Sequence, residues 1–333
     1  MFEQSKPFRS KFLWPLTCVA LLVSVAAQAT ELRALASWDD THPARRLLLS
    51  TYVKNVEAAS KGDLTFKLSG PETVPPFEQL QPVGAGVFQL LFTHPGYHIG
   101  ITPYLISIDG FKGDSKTLRE SGIYELIDKH YQRFGVKLIF ATKSAEESGY
   151  QIILRQPVGP SGDLTGRKIR GTQNYAGVVS LLHASPVVLP PAEVYSALEK
   201  GVVDGAAWPA IGVLDYKWNE VAKYLLRPLF GSSSYYLFIN LSTWNGLSKS
   251  QQVVLVDEGQ KIGAFWDPEW LRLSKLEQDK LVAAGSKVTE VSPALGSKLS
   301  AAFADGLWDL SAASDPNGTA ELHAFAKAHG LAQ

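Results

Sequence analysis

Short apolar runs alternate with longer amphipathic segments along most of the chain, and this alternation limits the fold class. In the first half, strands are predicted at 32–37, 64–68, 87–92, 136–142 and 149–154. Helical segments at 43–60 and 115–134 separate them, and the first begins at Pro43 and stops before Gly62. Strands that alternate with helices are typical of α/β folds, in which helices cover the faces of a sheet.

The second half repeats the alternation after residues 156–162, which include two prolines and two glycines. Strands are predicted at 168–171, 187–189, 203–208 and 235–240, and helices at 175–183 and 192–200. The Pro- and Gly-rich segment indicates a linker or crossover, so we expect two α/β lobes joined by crossing strands. The first lobe is predicted to comprise residues 30–153 with about 239–275, and the second 154–238 with about 276–333.

Residues 248–285 form the longest helical segment, which we expect to span the two lobes. Ile262, Trp266, Trp270, Leu273 and Leu276 are spaced by three or four residues and therefore share one helical face. Within this stripe, Asp267-Pro268-Glu269 has the pattern of an N-cap followed by proline at the first helical position. The pattern predicts a kink or a restart of the helix there.

The first thirty residues have the organisation of a secretory signal peptide. Three basic residues precede an apolar run of about 16 residues at 12–27, and Ala27-Gln28-Ala29 follows as a small-x-small cleavage motif. We therefore predict that residues 1–29 are removed. The alternative is a retained membrane anchor, for which the run is short, since a span needs ~20 residues. Cleavage would also remove Cys18, the one cysteine, and would leave 29 basic and 31 acidic side chains.

Charge and composition exclude several classes of protein. The chain has 32 basic and 32 acidic side chains and no strongly basic stretch, which argues against a nucleic-acid binder. His94 and His98 have the spacing of a helical zinc pair, but Pro95-Gly96 between them prevents that helix. Neither a nucleophile-elbow motif nor a phosphate loop is present. We therefore expect no metal and no cofactor, and catalysis by Asp or Glu stays open as an alternative.

Judged only by its position in the sequence, Arg170 is the strongest candidate for ligand binding. It ends the predicted strand that follows the turn Asp163–Gly166, and ligands of α/β folds bind at the carboxyl ends of strands. A guanidinium can hold a carboxylate through two parallel hydrogen bonds. The alternative is an ordinary surface ion pair.

Two motifs resemble those of a known family. Residues 163–170 have the pattern D-L-x-G-x-K-x-R, and residues 193–205 have E-V-Y-x-A-L-x-x-G-V-V-D-G. Both are similar to the solute-binding subunits of tripartite ATP-independent periplasmic (TRAP) transporters, in the dicarboxylate-binding (DctP) family. The resemblance implies a two-lobed periplasmic receptor that closes around an organic acid and delivers it to a small and a large membrane subunit. Uptake would be driven by an ion gradient, without ATP.

The resemblance also implies roles for particular residues. Arg170 matches the arginine that grips the ligand carboxylate, and Arg155 approximately matches a second basic residue before the D-L-x-G turn. Trp208 stands where many members have asparagine, and its flat apolar face would suit a monocarboxylate with a hydrophobic or aromatic body. Trp38 and Tyr97 follow predicted strands of the first lobe and are expected to face the same cleft. For all three aromatic residues, ordinary core packing is the alternative.

Two other functions remain open from the sequence. The same receptor could present its ligand to a sensor kinase instead of a permease. Less favoured is a secreted α/β enzyme that uses carboxylate catalysis. Turnover of a bound acid would distinguish the enzyme from both receptors.

Overall fold

The computed structural model describes residues 1–4 and 29–332. The predicted signal peptide lies outside the described residues, apart from its first four positions and Ala29. Within the described ranges, no helix has both the length and the apolar character needed to cross a lipid bilayer.

Strands in the described residues form two separate sheets, as expected for two α/β lobes. In chain order the strands are β1 (Thr30–Ala36), β2 (Leu64–Ser69), β3 (Leu90–Thr93), β4 (Val136–Lys143), β5 (Tyr150–Leu154), β6 (Lys168–Arg170), β7 (Ser185–Val187), β8 (Gly205–Pro209), β9 (Tyr224–Arg227), β10 (Ser234–Asn240) and β11 (Lys287–Glu290). The first sheet has the order β2-β1-β3-β10-β4, and the second has the order β11-β9-β5-β8-β6-β7.

The chain passes between the sheets three times. It crosses from the first sheet to the second between β4 and β5, and returns between β9 and β10. The returning strand β10 lies between β3 and β4 and is antiparallel to both. The third passage leads from β10 to β11 and includes the longest helix. The predicted two-lobed α/β architecture with crossing strands is confirmed, while the residue boundaries proposed for the lobes stay a prediction.

Helices cover both sheets. They are α1 (Ser50–Ala59), α2 (Leu80–Gly84), α3 (Ser115–Glu120), α4 (Ile123–Gln132), α5 (Ala176–Leu181), α6 (Val194–Glu199), α7 (Trp218–Val221), α8 (Leu241–Gly246), α9 (Lys249–Ala283), α10 (Pro293–Gly296), α11 (Leu299–Ser314) and α12 (Pro316–Ala328). A π-helical turn, Ala44–Leu49, precedes α1, and shorter 3₁₀ turns include Pro95–Tyr97 and Ile106–Gly110. The single helix predicted at 115–134 is two helices, because Gly122 between them has a left-handed φ of 84°.

Helix α9 is one continuous helix, so of the predicted kink or restart at Asp267-Pro268 the restart is wrong, while the kink stays a prediction. Ser248 and Gln251 form a capping box at its start. The Asp267 carboxylate does not cap α9; it accepts hydrogen bonds from the N–H and the hydroxyl of Ser115, at 3.0 and 2.8 Å. Trp266 and Trp270 are buried on either side of Pro268. This packing keeps the helix together although proline removes one backbone hydrogen bond.

The buried face of α9 continues through polar residues. After Trp270 it follows Ser274 and Glu277, whereas Leu276 of the predicted stripe is exposed. The Glu277 carboxylate accepts hydrogen bonds from the N–H groups of Gly212 and Leu214, at 2.7 and 3.1 Å. Glu277 thus attaches the loop that follows β8 to the long helix. Burial raises the pKa of this carboxyl group to about 7, although the two backbone donors act in the opposite direction.

Glu277→Gln is expected to change how stability depends on pH. Because its pKa is raised, folded Glu277 holds its proton between about pH 4.5 and pH 7, where the unfolded chain has lost it. This contribution is complete at acidic pH and is lost as the pH rises through 7, at a cost of about 3 kcal/mol. Urea unfolding at pH 5 and pH 8 should show a smaller alkaline loss in the variant. Exposed Glu290→Gln is the control, and equal pH slopes for wild type and Glu277→Gln would contradict the prediction.

Candidate functional site

A small cavity, partly open to solvent, lies between the two sheets. Four of the five residues predicted from the sequence to bind ligand line it: Trp38, Tyr97, Arg170 and Trp208. The cavity has a volume of about 30 Å³, which exceeds the ~10–15 Å³ that one water molecule needs. Its other lining residues are His42, His94, Tyr150, Thr172, Tyr175, Pro209, Ser233 and Tyr235.

Strand ends explain why these side chains meet. Trp38 follows the end of β1, and Tyr97 ends the short 3₁₀ turn after β3, so both come from the first lobe. Arg170 is the last residue of β6, and Trp208 is the penultimate residue of β8 in the second sheet. The cavity is therefore built by both lobes, where α/β folds place their ligands.

Arg170 is a buried cation, with 1% of its surface exposed. Its Nε and Nη2 both donate to the carbonyl oxygen of Leu189, at 2.9 and 2.6 Å, and Nη1 donates to that of Ala207 at 3.4 Å. Arg170 takes part in none of the ion pairs found among the described residues. Burial lowers the pKa of its guanidinium, while the neighbouring tyrosines act in the opposite direction.

The hydrogen bonds of Arg170 leave part of its donor capacity unused. A guanidinium has five N–H groups. With three hydrogen bonds made, one N–H on each terminal nitrogen has no acceptor among the described residues. Two adjacent N–H groups on a buried positive charge are the arrangement that a carboxylate matches bidentately.

Aromatic rings form most of the remaining wall. The Arg170 guanidinium carbon lies 5.3 Å from the centroid of the Trp208 ring, within the range of a cation–π interaction. Trp38 stacks on the His42 ring at 4.8 Å and contacts Tyr97 and Tyr235 edge-on, at 5.6 and 5.3 Å. Trp208 is nearly fully buried, yet it also lines the cavity, so core packing and a place at the cleft coexist.

A buried polar chain connects the cavity with a crossing strand. His94 Nδ1 accepts the N–H of Gly96 at 2.8 Å, so the ring proton lies on Nε2, which donates to Asp109 at 2.6 Å. The Tyr150 hydroxyl is 3.2 Å from the same Nε2, and the Ser234 hydroxyl donates to the other oxygen of Asp109. This chain fixes the wall of the cavity relative to the first residue of β10.

Arg155 is not among the residues that line the cavity. It follows β5, is half-buried, and one of its terminal nitrogens lies beside Gly201, just after α6. Its predicted role in ligand binding stays a prediction, and the site described here is built without it.

Sequence reasoning did not select His42, Tyr150, Tyr175 or Tyr235 as site residues. His42 precedes the first helical segment, Tyr175 lies five residues after Arg170, and Tyr150 and Tyr235 lie at the starts of strands that cross between lobes. The signal that could have found Tyr150 and Tyr235 is their position at the start of strands that follow a passage between the lobes. Using it requires knowing which strands follow such a passage. For His94 the sequence predicts no role, because the zinc pair with His98 is excluded. Across the described ranges, no group of three or more His, Cys, Asp or Glu is placed to hold a metal ion.

Comparison with known proteins gives a family match over most of the chain. A sequence model described as bacterial extracellular solute-binding protein, family 7 (DctP), matches residues 41–311. The monocarboxylate 2-oxoacid-binding periplasmic protein of Nostoc sp. is 26% identical over 256 residues, which cover 73% of this chain and 69% of that protein.

Solved structures share the fold. A TRAP periplasmic solute-binding protein from Desulfovibrio salexigens with bound orotic acid aligns with a TM-score of 0.78 at 20% identity, covering 90% of this chain and 98% of that chain. A marine metagenome TRAP solute-binding protein specific for aromatic acid ligands aligns with a TM-score of 0.75 at 20% identity and the same coverage.

Proposed function

The chain belongs to the DctP family of bacterial extracellular solute-binding proteins, and on that premise we propose that it captures an organic acid in the periplasm for a TRAP transporter. The acid would be held between the lobes and delivered to a small and a large membrane subunit, for uptake driven by an ion gradient. In this proposal the leader, residues 1–29, is removed on export, and the bound acid is released unchanged.

The observation that carries the proposal is the unpaired, buried guanidinium of Arg170. An isolated buried charge is costly unless a partner neutralises it. A ligand carboxylate would supply that partner and would use the two remaining N–H groups, in hydrogen bonds worth about 1.5–3 kcal/mol each. The charge and the donor geometry together favour an organic acid over a neutral solute.

The aromatic wall supports a planar or hydrophobic body for the acid. Trp38, Tyr97, Tyr175, Trp208 and Tyr235 offer ring faces and edges, and burying an aromatic ring against such surfaces is favourable. Ligands of proteins similar to this chain include 2-oxoacids, orotic acid and aromatic acids. These ligands fit the same description.

Closure of the lobes would accompany binding. A cavity of about 30 Å³ leaves little room for an organic acid, so we expect the two sheets to move apart when the acid enters. The three passages between the lobes, which include α9, are the segments able to act as a hinge. The acid would then shift the population toward a closed form that the membrane subunits prefer.

The direct test is identification of a bound acid. Protein purified without refolding would be examined by native mass spectrometry, and calorimetry would compare phenylacetate with its neutral analogue phenylacetamide. Binding of the carboxylate at least about tenfold more tightly than the amide is expected from the charged pair. Equal affinity for both would contradict the carboxylate site, and chemical conversion of a bound acid would favour the enzyme alternative.

Trp208→Ala is expected to weaken binding of aromatic acids selectively. Loss of a buried ring face should cost phenylacetate about 10- to 100-fold in affinity, corresponding to about 1.5–3 kcal/mol. Propanoate, which lacks a ring, should lose less than about threefold. Trp244→Ala, in α8 and away from the cavity, is the matched control for calorimetry. Equal losses for the two acids would assign Trp208 a purely structural role.

A further inference from the structure

The cavity contains further hydrogen-bond donors that have no partner among the described residues. Nε2 of His42, Nε1 of Trp208 and the hydroxyl of Tyr235 are all buried and make no hydrogen bond there. A buried donor without an acceptor costs about 1–3 kcal/mol, so several in one cavity require an explanation. Nε1 of Trp208 lies close to Gly212, since a Cβ added there would be 3.0 Å from it. This donor therefore faces the loop after β8, and His42 and Tyr235 are the two unpartnered donors that a ligand could reach.

His42 presents a donor in a fixed orientation. Its Nδ1 accepts the N–H of Ala44 at 3.2 Å, at the start of the first helical segment, so the proton of the neutral ring lies on Nε2. The ring is fully buried, stacks on Trp38 and contacts the Trp208 ring edge-on at 5.6 Å. Burial, with a smaller effect of Arg46, lowers the pKa of His42 to about 3, so the ring remains neutral at physiological pH. His42 therefore offers one uncharged N–H.

The lining is correspondingly poor in carboxylate and amide side chains. No Asp, Glu, Asn or Gln is among the described residues that line the cavity. Asp109 lies behind His94, and its oxygens are occupied by His94 and Ser234. The ammonium group of an amino-acid ligand would thus lie near the Arg170 guanidinium, and no protein carboxylate in the described lining could pair with it. Such a buried, unpaired positive charge is strongly unfavourable.

We propose that His42 is a specificity-determining residue whose Nε2–H binds an uncharged oxygen of the ligand beside the carboxylate held by Arg170. His42 and Arg170 both contact the Trp208 ring, and the cavity is small, so the two groups reach neighbouring parts of one small ligand. The ligand class is a monocarboxylate with an oxo or hydroxyl oxygen at carbon 2, and amino acids of the same skeleton are rejected. This inference rests on the proposed function.

Three probes of one skeleton test the inference on the intact protein by calorimetry. Phenylglyoxylate carries a 2-oxo group, phenylacetate has no substituent at that carbon, and phenylglycine carries an ammonium group. We expect phenylglyoxylate to bind at least about tenfold more tightly than phenylacetate, the effect of one hydrogen bond to a buried donor. Phenylglycine should bind at least about 100-fold more weakly than phenylglyoxylate.

Two variants separate the donor from the rest of the ring. His42→Asn can keep an acceptor for the N–H of Ala44 but lacks the Nε2–H, whereas His42→Gln keeps a donor near the Nε2 position. His42→Asn should reduce the preference for phenylglyoxylate over phenylacetate to less than about threefold, and His42→Gln should retain most of it. As a readout independent of variant folding, the Nε2–H resonance of ¹⁵N-labelled His42 should shift with phenylglyoxylate and not with phenylacetate.

The outcomes separate this inference from the proposed function. If wild-type protein binds none of the three probes, the inference fails, and the proposed function fails with it only if native mass spectrometry also finds no bound acid. If it binds phenylglyoxylate and phenylacetate equally well, the carboxylate site stands and the role of His42 is overturned. A preference that survives unchanged in a folded His42→Asn variant would also overturn it.

Discussion

Arg170→Ala is expected to weaken binding of an organic acid at least about 100-fold. The substitution removes both N–H groups available to the carboxylate and leaves the ligand charge in an aromatic, water-poor cavity without a counter-charge. Truncation of one partner of a buried charged pair costs about 2–5 kcal/mol or more. Arg170→Lys should recover only part of the affinity, because an ammonium group has the charge but not the planar fork. Calorimetry with phenylacetate and phenylglyoxylate measures both variants.

A matched control distinguishes loss of the site from loss of net charge. Lys168→Ala removes one positive charge from the same strand, two residues away, at an exposed position, and should change affinity less than about twofold, as screened surface charges do. Because Arg170 also holds the carbonyl groups of Leu189 and Ala207, urea unfolding must accompany the binding assay. Binding retained within about threefold in folded Arg170→Ala would exclude the arginine from the site.

Gly149→Ala is expected to lower the free energy of unfolding by about 3 kcal/mol. Gly149 lies just before β5, where the first passage between the lobes meets the second. A Cβ there would lie 2.0 Å from the carbonyl oxygen of Gly231 and 2.7 Å from that of Phe230. Both atoms belong to the backbone, which cannot rotate away as a side chain can. The paired hydrogen bonds between Tyr150 and Phe230, at 2.8 and 3.0 Å, would have to lengthen.

Chemical denaturation at constant pH measures this effect, and a second glycine supplies the control. Gly159 lies in the loop after β5, where an added Cβ would meet no atom within 4 Å. Gly159→Ala should therefore leave the free energy of unfolding within about 0.5 kcal/mol of wild type. Equal stabilities for Gly149→Ala and Gly159→Ala would show that the two crossing segments do not constrain each other.

Much of the fold could be predicted because local patterns and tertiary packing agree. The alternation of strands and helices identified both lobes, and most strands of the first sheet were placed within a few residues. Strands β9 and β11 were missed because both are short and β11 is mostly exposed, so neither has a long apolar run. The restart at Pro268 was wrong because a capping pattern describes local preference, while the burial of Trp266 and Trp270 is decided by the whole helix.

The candidate site could be predicted only for those residues that lie at or just after the ends of strands. Arg170, Trp208, Trp38 and Tyr97 were selected from their positions after or within strands and from the resemblance, and the structure places all four around one cavity. His42 and Tyr235 could not be selected, because their importance depends on what they lack, namely hydrogen-bond partners after folding. A missing partner is a property of the packed cavity and leaves no pattern in a single sequence.

The position of β10 has a consequence for how the chain reaches its folded state. This strand joins the edge strand β4 to the rest of the first sheet, where Tyr236 pairs with Thr93 and with Ala141, yet it follows most of the second lobe in the chain. Until residue 240 is available, β3 and β4 have no common partner and their open edges can pair with other chains. Pairing over such sequence distances also makes folding slow. We therefore expect the nascent chain to need protection from aggregation until residue 240 of its 333 residues has emerged.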